Sequence, residues 1–479
     1  MLLLALPASA APPKADKVER AEAAFFEAFN DKDWPKAIDA ARFWASVDPD
    51  DYVPRYNLAT LLGATGKPDE AAEQLAAAVE RGFADRRRLD TDPGLRPVRE
   101  SPAYATLIER WPALLDAQLD RQLARANTWW STAYSTARDG QLRVAYASAF
   151  SPQAFGRARD EMTRLSQWWE ASVLPEGTPG VSVDPQRPDP WVLVVLPSRM
   201  DYNKWAAKRW PRASGATSLV AGIYDHYERQ LVAQDVGGTL RHEFLHALHW
   251  RHQDRLRQDH PIWIQEGLCS LVEDVEVAAD ETLRPVPSWR TNSLKALVRS
   301  GKAPSISRLL EMSQDTFVGT APLANYALAR AVFLYLADRG KLRAWYTDYT
   351  QNFREDRTGR AALERVLGKP LADIERDFRA WVRALPEVAT ANKPGGAMFP
   401  GTYENGIGEG VVVKRAGRGT GLADGDVIVE IAGQPVTDLN DLTRVLGDFE
   451  PGSRVDLRFR RGKGRSGQMQ TATLTLVAR

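Results

Sequence analysis

The 479-residue sequence has one cysteine, Cys269, and only six histidines. A single cysteine excludes an internal disulfide framework and any metal site built from several cysteines. Because 63 lysines and arginines oppose 62 aspartates and glutamates, the net charge of +1 provides no bulk field to attract nucleic acid. Beyond the first residues no apolar run approaches the roughly 18 residues that span a bilayer, so we expect no membrane span in the mature chain. Function must therefore reside in local sites.

The first residues, MLLLALPASAAPPKA, combine a short apolar run with the small triplet Ala8-Ser9-Ala10. This pattern is typical of the end of a secretory signal peptide, although no basic residue precedes the run. A frayed apolar terminus is the alternative interpretation. We expect residues 1–11 to be a signal-like segment that directs export.

Alanine-rich sequence from Lys17 to about Pro112 repeats itself. DWPKAIDAARFWASVDP and KPDEAAEQLAAAVERGF superimpose at an offset of 34 residues, a period that is typical of paired helices. A further helix is expected before each of them, near residues 18–30 and 52–63. The segment resembles two tetratricopeptide (TPR) repeats and a cap, which implies a concave surface for peptides or partner proteins. A helical spacer without a ligand is the alternative.

The stretch HEFLH carries His242, Glu243 and His246. On an α-helix the two histidines stand about 40° apart on one face and about 6 Å apart along the axis, so both can reach one ion. Glu243 flanks them and is placed to take a proton from a metal-activated water. A catalytic zinc needs a third protein ligand, and Glu266 on the next expected helix is the candidate, with nineteen residues between it and His246.

HEFLH followed by WIQEGLCS resembles the signature of the gluzincin metallopeptidases. The strands expected at AGIYD and RQLVAQD are similar to those of peptidase MA-like families of exported bacterial proteins, and the resemblance covers roughly residues 190–385. It implies a Zn²⁺ bound by His242, His246 and Glu266, with Glu243 as general base. It also implies a periplasmic or extracellular location in a bacterium.

Two further parts of such a site are less firmly indicated. Thermolysin-like relatives orient a ligand histidine with an aspartate four residues after the ligand glutamate, where this chain has Ser270, so the surroundings of the ligands must be built differently here. In gluzincin-like enzymes a tyrosine about sixty residues beyond that glutamate often stabilises the oxyanion, and Tyr326 fits this place. A tyrosine that only packs in its helix is the alternative, and Tyr224 and Tyr227 are weaker candidates. Cys269 is expected to be a small core residue.

The remaining histidines offer one competing interpretation. His252 has the spacing of the third ligand of metzincins, but their pattern turns the chain with a glycine where this sequence has His249. A helix that runs on would carry His252 too far from His242 to share an ion. His249 is expected near the pocket, whereas His226 and His260 are expected at the surface.

The C-terminal sequence resembles a PDZ domain of the bacterial, protease-associated kind. The resemblance rests on GLADGDVIVEIAGQPV, the expected helix DLNDLTRVL and the late strand PGSRVDLRFRRG. It implies that an extended peptide is added to a sheet edge; a packing module without a ligand is the alternative. The carboxylate-binding loop is expected near residues 405–409, where NGIGEG departs from the common form, so recognition of free C termini stays open.

Together these features predict a multidomain protein with all-α TPR-like repeats, an α+β zincin-like metallopeptidase domain and a β-rich PDZ domain. The predicted function is a zinc-dependent peptidase, a hydrolase that acts on a polypeptide substrate and has protein partners through its flanking domains. A non-catalytic TPR/PDZ scaffold with a structural or vestigial zinc site, and a zinc amidase acting on cell-wall peptide, are the alternatives. The expected divisions are residues 1–11 (signal-like), 17–115 (TPR-like), 116–185 (helical connecting region), 186–385 (peptidase), 386–400 (linker) and 401–479 (PDZ).

Overall fold

The computed structural model describes residues 15–129, 134–184, 188–209, 222–388, 397–406, 410–446, 449–461 and 467–478. The signal-like segment and residues 407–409 of the expected carboxylate-binding loop lie outside them. The chain divides into two compact units. The first comprises Met1–Ala149 and Ser182–Val232, and the second comprises Phe150–Val181 and Ala233–Arg479.

The N-terminal region is helical, as predicted. Helices that begin at Trp34 and Pro68 reproduce the 34-residue offset of the repeat, and the Asp33 side chain caps the first of these by accepting a hydrogen bond from the Lys36 amide. Neighbouring helices pack on one another around a shared apolar core. The helices are α1 (Ala15–Asn30), α2 (Trp34–Val47), α3 (Val53–Ala64), α4 (Pro68–Glu80), α5 (Arg86–Thr91), α6 (Arg96–Arg99), α7 (Pro102–Glu109) and α8 (Trp111–Trp129).

Residues 116–185, predicted to be a helical connecting region, contain strands as well. After α8 come the antiparallel strands β1 (Ser135–Asp139) and β2 (Val144–Ser148), and only then helix α9 (Pro152–Ser172). The prediction of helices alone is therefore wrong here. Every residue of β2 is buried, and a buried run of five residues has no amphipathic period that separates a strand from a helix.

The first unit contains a five-stranded sheet in the order β1-β2-β3-β5-β4. Strand β3 (Val192–Leu196) pairs in parallel with β2 and β5 and is buried throughout. Helix α10 (Arg199–Arg209) follows it, and strands β4 (Gly222–Asp225) and β5 (Gln230–Ala233) lie where the sequence predicted two strands. Strand β4 is an edge strand.

The second unit is built mainly of helices around α11 (Gly238–Leu256) and α12 (Ile262–Leu271). Helix α11 packs against α9 and α12, and α12 packs against α16. A short antiparallel hairpin, β6 (Val275–Val277) and β7 (Leu283–Pro285), follows α12. The later helices are α13 (Trp289–Arg299), α14 (Ile306–Leu310), α15 (Gln314–Gly319), α16 (Pro322–Asp338), α17 (Leu342–Gln351), α18 (Arg360–Leu367) and α19 (Leu371–Ala384).

The C-terminal region is β-rich, as predicted, and its described residues include one helix. Its main sheet has the order β14-β13-β11-β10-β9 with antiparallel pairing, and β12 pairs with β11. Gly421 and Gly425, with φ of 68° and 89°, lie in the turn before β11. The elements are β8 (Ala397–Met398), β9 (Gly401–Asn405), β10 (Val411–Ala416), β11 (Val427–Ile431), β12 (Gln434–Pro435), α20 (Leu439–Leu446), β13 (Arg454–Arg461), β14 (Gln468–Thr475) and β15 (Val477–Ala478). No helix in the described part of the chain is both long and apolar enough to cross a bilayer.

Candidate metal centre

Helix α11 presents HEFLH on a continuous, well-anchored helix. Its first residue follows Gly237, and Arg257, with a left-handed φ of 55°, caps its C-terminal end. Phe244, Leu245 and Leu248 are fully buried and fix its apolar face. The helix runs on to Leu256 without the turn that a metzincin site requires.

His242, His246 and Glu266 bring three donor atoms to one point. The two Nε2 atoms are 3.2 Å apart, and Glu266 Oε2 lies 3.4 Å from His242 Nε2 and 3.7 Å from His246 Nε2. Donors bound to one Zn²⁺ at about 2.0 to 2.1 Å in tetrahedral geometry are about 3.3 Å from one another. The spacing of the three atoms thus fits a single zinc ion.

The three side chains are only 12 to 14% exposed. Burial alone raises the pKa of Glu266, but the charges and hydrogen bonds of His246 and His242 hold it well below its usual range. Burial alone lowers the pKa of His242, but hydrogen bonding to Glu266 and Glu273 and the charge of Glu243 raise it to about 10. A metal at Nε2 must displace a proton from this imidazole, and the neighbouring carboxylates that stabilise the proton would also stabilise a divalent cation.

Glu243 and Tyr326 both lie close to the three donors. Glu243 is partly buried on α11, and its negative charge acts on both His242 and Tyr326. Burial raises the pKa of the Tyr326 phenol, and the charge and hydrogen bond of Glu266 raise it further, so this hydroxyl stays protonated. The Tyr326 ring packs 4.9 Å from the Phe317 ring. The structure therefore brings Tyr326, at the start of α16, to the same site as the donors.

The weaker tyrosine candidates have other surroundings. Tyr227 packs against the apolar core of the N-terminal helices, and the Tyr224 ring lies 6.4 Å from the His226 ring. Cys269 is fully buried, as a core residue would be. Burial and then the charge of Glu266 raise the pKa of its thiol far above the usual value, so it stays a neutral thiol.

Two residues that the sequence analysis did not single out complete the surroundings of His242. The Nδ1 atom of His242 lies 3.0 Å from Glu273 Oε1. Arg290 donates two hydrogen bonds to the same carboxylate, from Nε to Oε2 at 2.7 Å and from Nη2 to Oε1 at 2.9 Å. Neither residue belongs to a motif, and Glu273 follows α12 in a turn, so spacing along a helix could not reveal it.

The other histidines of α11 face a separate buried cluster. His252 Nδ1 lies 2.9 Å from the Tyr346 hydroxyl, and His249 Nε2 lies 2.8 Å from His260 Nδ1. The expectation that His260 lies at the surface is wrong, because its ring packs between Tyr349 and Phe353 and is nearly fully buried.

The surface expectation for His226 is also wrong. Its Nδ1 atom lies 2.8 Å from Arg229 Nη1, and Asp85 approaches its other nitrogen at 3.7 Å. A histidine can be buried once polar partners surround it, and such partners distant in sequence leave no local pattern.

Comparison with known proteins does not identify the chain. No protein-family model matches it, and no curated protein matches it. The function of the site must therefore be argued from its own donors, charges and neighbours.

Proposed function

We propose that this chain is a zinc-dependent peptidase whose metal is held by His242, His246 and Glu266. The observation that carries the proposal is the convergence of two imidazole nitrogens and one carboxylate oxygen, 3.2 to 3.7 Å apart, from two consecutive helices. Two nitrogen donors favour zinc over calcium or magnesium, which prefer all-oxygen sites. Three protein ligands leave a coordination position for water, as in catalytic rather than structural zinc sites.

Glu243 is the general base of the proposed reaction. A bound zinc would polarise the substrate carbonyl and lower the pKa of water at the site. Glu243 accepts the proton of the attacking water and passes it to the leaving nitrogen, so no covalent enzyme intermediate is needed. Its place beside His242, on the same turn of α11, supports this role.

Tyr326 is the proposed oxyanion donor. Its hydroxyl can donate a hydrogen bond to the negative oxygen that develops on the substrate carbonyl. A donor must carry its proton at working pH, and burial together with Glu266 keeps the pKa of this phenol high. The tyrosine also lies close enough to Glu243 to be affected by its charge, so base and donor serve one reaction centre.

The flanking regions favour a polypeptide as substrate. In this proposal the N-terminal helices are TPR-like repeats, the central region has a zincin-like fold and the C-terminal sheet is a PDZ domain. The 34-residue offset between α2 and α4 supports the first assignment. Helix α20 packed beside the edge strand β9 supports the last. Both kinds of module bind peptides, and the signal-like start supports export to the periplasm or the cell exterior.

The decisive experiment compares the purified full chain with its Glu243→Gln variant. We expect one zinc per chain in both proteins, measured by metal analysis, and cleavage of casein or a peptide library by the unmodified protein only. The matched control is Glu276→Gln, because Glu276 is an exposed carboxylate on the nearby strand β6. Cleavage that survives in Glu243→Gln would contradict the general-base role.

Two other outcomes select the alternatives. Stoichiometric zinc without cleavage of any peptide by either protein favours a scaffold that joins partners through its flanking domains. Cleavage of cell-wall peptide fragments, with casein and the peptide library left intact, favours a zinc amidase of the cell wall.

A further inference from the structure

Glu273 contacts the nitrogen of His242 that faces away from the other donors. The Nε2 atom of His242 points to His246 and Glu266, whereas its Nδ1 atom lies 3.0 Å from Glu273 Oε1. We infer that Glu273 is a positioning residue that fixes the ring orientation and tautomer of His242, and that Arg290 holds Glu273 in place. The inference rests on the proposed zinc site and adds two residues to it.

The contact determines which nitrogen is available to a metal. A carboxylate 3.0 Å from Nδ1 favours a proton on that nitrogen by its negative charge, so Nε2 is the nitrogen left to a metal. Rotation of the ring would break this contact, so the carboxylate also limits the ring to one orientation. The metal-facing edge of the ring is thereby aimed before any ion binds, which lowers the entropic cost of binding.

Glu273 is itself held by its side chain. The planar guanidinium of Arg290 meets the carboxylate with two parallel hydrogen bonds of 2.7 and 2.9 Å, the geometry that fixes a carboxylate most firmly. This pair fixes the Glu273 carboxylate beside the His242 ring.

The backbone of Glu273 is fixed by a second arginine. Arg241, the residue before His242, donates hydrogen bonds to the carbonyl oxygens of Val272 and Glu273, each at 2.7 Å. Arg241 is in turn held by Glu161 of α9 at 2.8 Å. The turn that carries Glu273 is thus tied to the helix that carries His242.

Close packing at Gly238 strengthens this connection. A methyl group on Gly238, at the start of α11, would lie 2.8 Å from the Glu273 carbonyl oxygen. Only glycine lets the first turn of α11 approach Glu273 this closely, one turn before His242.

The position four residues after Glu266 plays no comparable part. Ser270 is fully buried on α12, and its hydroxyl has no hydrogen-bond partner among the residues that the structure describes. Glu273, beyond the end of α12, instead places its longer side chain at the back of the His242 ring. In the thermolysin-like pattern an aspartate on the helix orients the ligand histidine. In this chain Glu273, in the turn after α12, has that role.

The test measures metal binding, not only catalysis, on the full-length protein. We expect zinc affinity, determined by competition with a chromogenic chelator, to fall about 10- to 100-fold in Glu273→Gln. This is the usual loss when a residue that orients a metal ligand is removed. Glu273→Asp, which keeps the charge, should recover part of the loss. Visible spectra of the cobalt-substituted proteins should show altered bands in Glu273→Gln and unaltered bands in the Glu276→Gln control.

A second measurement uses the unmodified protein and so does not depend on a variant that folds. Nitrogen-15 NMR of the imidazoles in the zinc-bound form should show His242 protonated at Nδ1 and bound through Nε2. Metal bound through Nδ1, or equal zinc affinity and identical cobalt spectra in Glu273→Gln, would overturn the inference while leaving the zinc peptidase intact. Failure of the unmodified protein to bind zinc would instead overturn the proposed function itself.

Discussion

Gly267 on α12 and Phe333 on α16 touch without room for a side chain between them. A methyl group on Gly267 would lie 2.6 Å from Phe333 Cε2 and 3.0 Å from the Ala329 carbonyl oxygen. Because Gly267 follows Glu266 directly, this contact sets how deeply the helix that carries Glu266 sits against α16.

Gly267→Ala should therefore destabilise the protein and weaken metal binding. Overpacking at a rigid contact typically costs about 1 to 3 kcal/mol, and the resulting shift of α12 moves the Glu266 carboxylate away from the two imidazoles. Denaturant unfolding and zinc competition measure the two effects. Gly156→Ala on α9 is the matched control, because nothing lies within 4 Å of the added methyl group. A helical alanine there should leave zinc affinity unchanged and stability equal or higher.

Removal of single histidine or glutamate side chains should distinguish the gluzincin-like interpretation of the site from the metzincin-like one. We expect His246→Ala and Glu266→Ala to lose zinc. Their zinc affinity should fall by more than about 100-fold, the largest loss usual when a residue that contacts a ligand, but not the metal, is removed. His252→Ala should keep zinc, because His252 contacts Tyr346. Zinc lost from His252→Ala but retained by Glu266→Ala would contradict this arrangement and favour a metzincin-like site.

Tyr326→Phe should slow the reaction and leave zinc binding unchanged. The phenylalanine ring keeps the packing against Phe317 and under Arg290, and only the hydroxyl is lost. Loss of one oxyanion donor lowers kcat by about 10²- to 10³-fold, while zinc content and KM should change little. Tyr224→Phe is the control. An unchanged kcat in Tyr326→Phe would show that this tyrosine only packs.

The buried cluster around His252 should make the protein less stable in acid. Burial, and then the charge of Arg255, lower the pKa of His252 to about 3, whereas the unfolded value is about 6.5. The unfolded chain binds the extra proton first, so this stabilisation is complete above pH 6.5 and is lost as the pH falls toward 3, by up to about 1.4 kcal/mol per pH unit. His252→Gln, which does not titrate, should show a shallower loss of unfolding free energy between pH 6.5 and 4.

Asp438 should have the opposite pH dependence. Burial, followed by the charges of Asp441 and Asp235, raises the pKa of Asp438 to about 8. Between pH 4 and 8 the unfolded chain gives up this proton more readily than the folded chain, so the group's contribution to stability declines as the pH rises. Asp438→Asn can still accept the hydrogen bond from the Asp441 amide. Its unfolding free energy should exceed that of the unmodified protein at pH 8, with the difference shrinking toward pH 4.

The sequence predicted the parts of the structure that depend on local spacing. The histidine pair on α11 follows from helical geometry, and the position of Glu266 follows from a motif read across two helices. The helical N-terminal region and the β-rich C-terminal region also carry periodic signals. Each of these features repeats along the chain or lies within a short segment, so it can be recognised in a single sequence.

Features that depend on partners distant in sequence were missed. The run VAYAS in β2 carries no period, because this inner strand of the sheet is buried on both faces. Arg290 meets Glu273 across the hairpin that follows α12, and His260 is buried by helix α17 and Phe353. Each depends on tertiary packing that leaves no trace in local spacing.

The two imidazoles, the Glu266 carboxylate and Glu273 all fall between residues 242 and 273. An ion held there would link segments that are close in the sequence. Bringing its donors together closes only short loops, whose entropy cost is small. The contact order among these residues is therefore low, whereas the final position of α12 depends on the later helix α16.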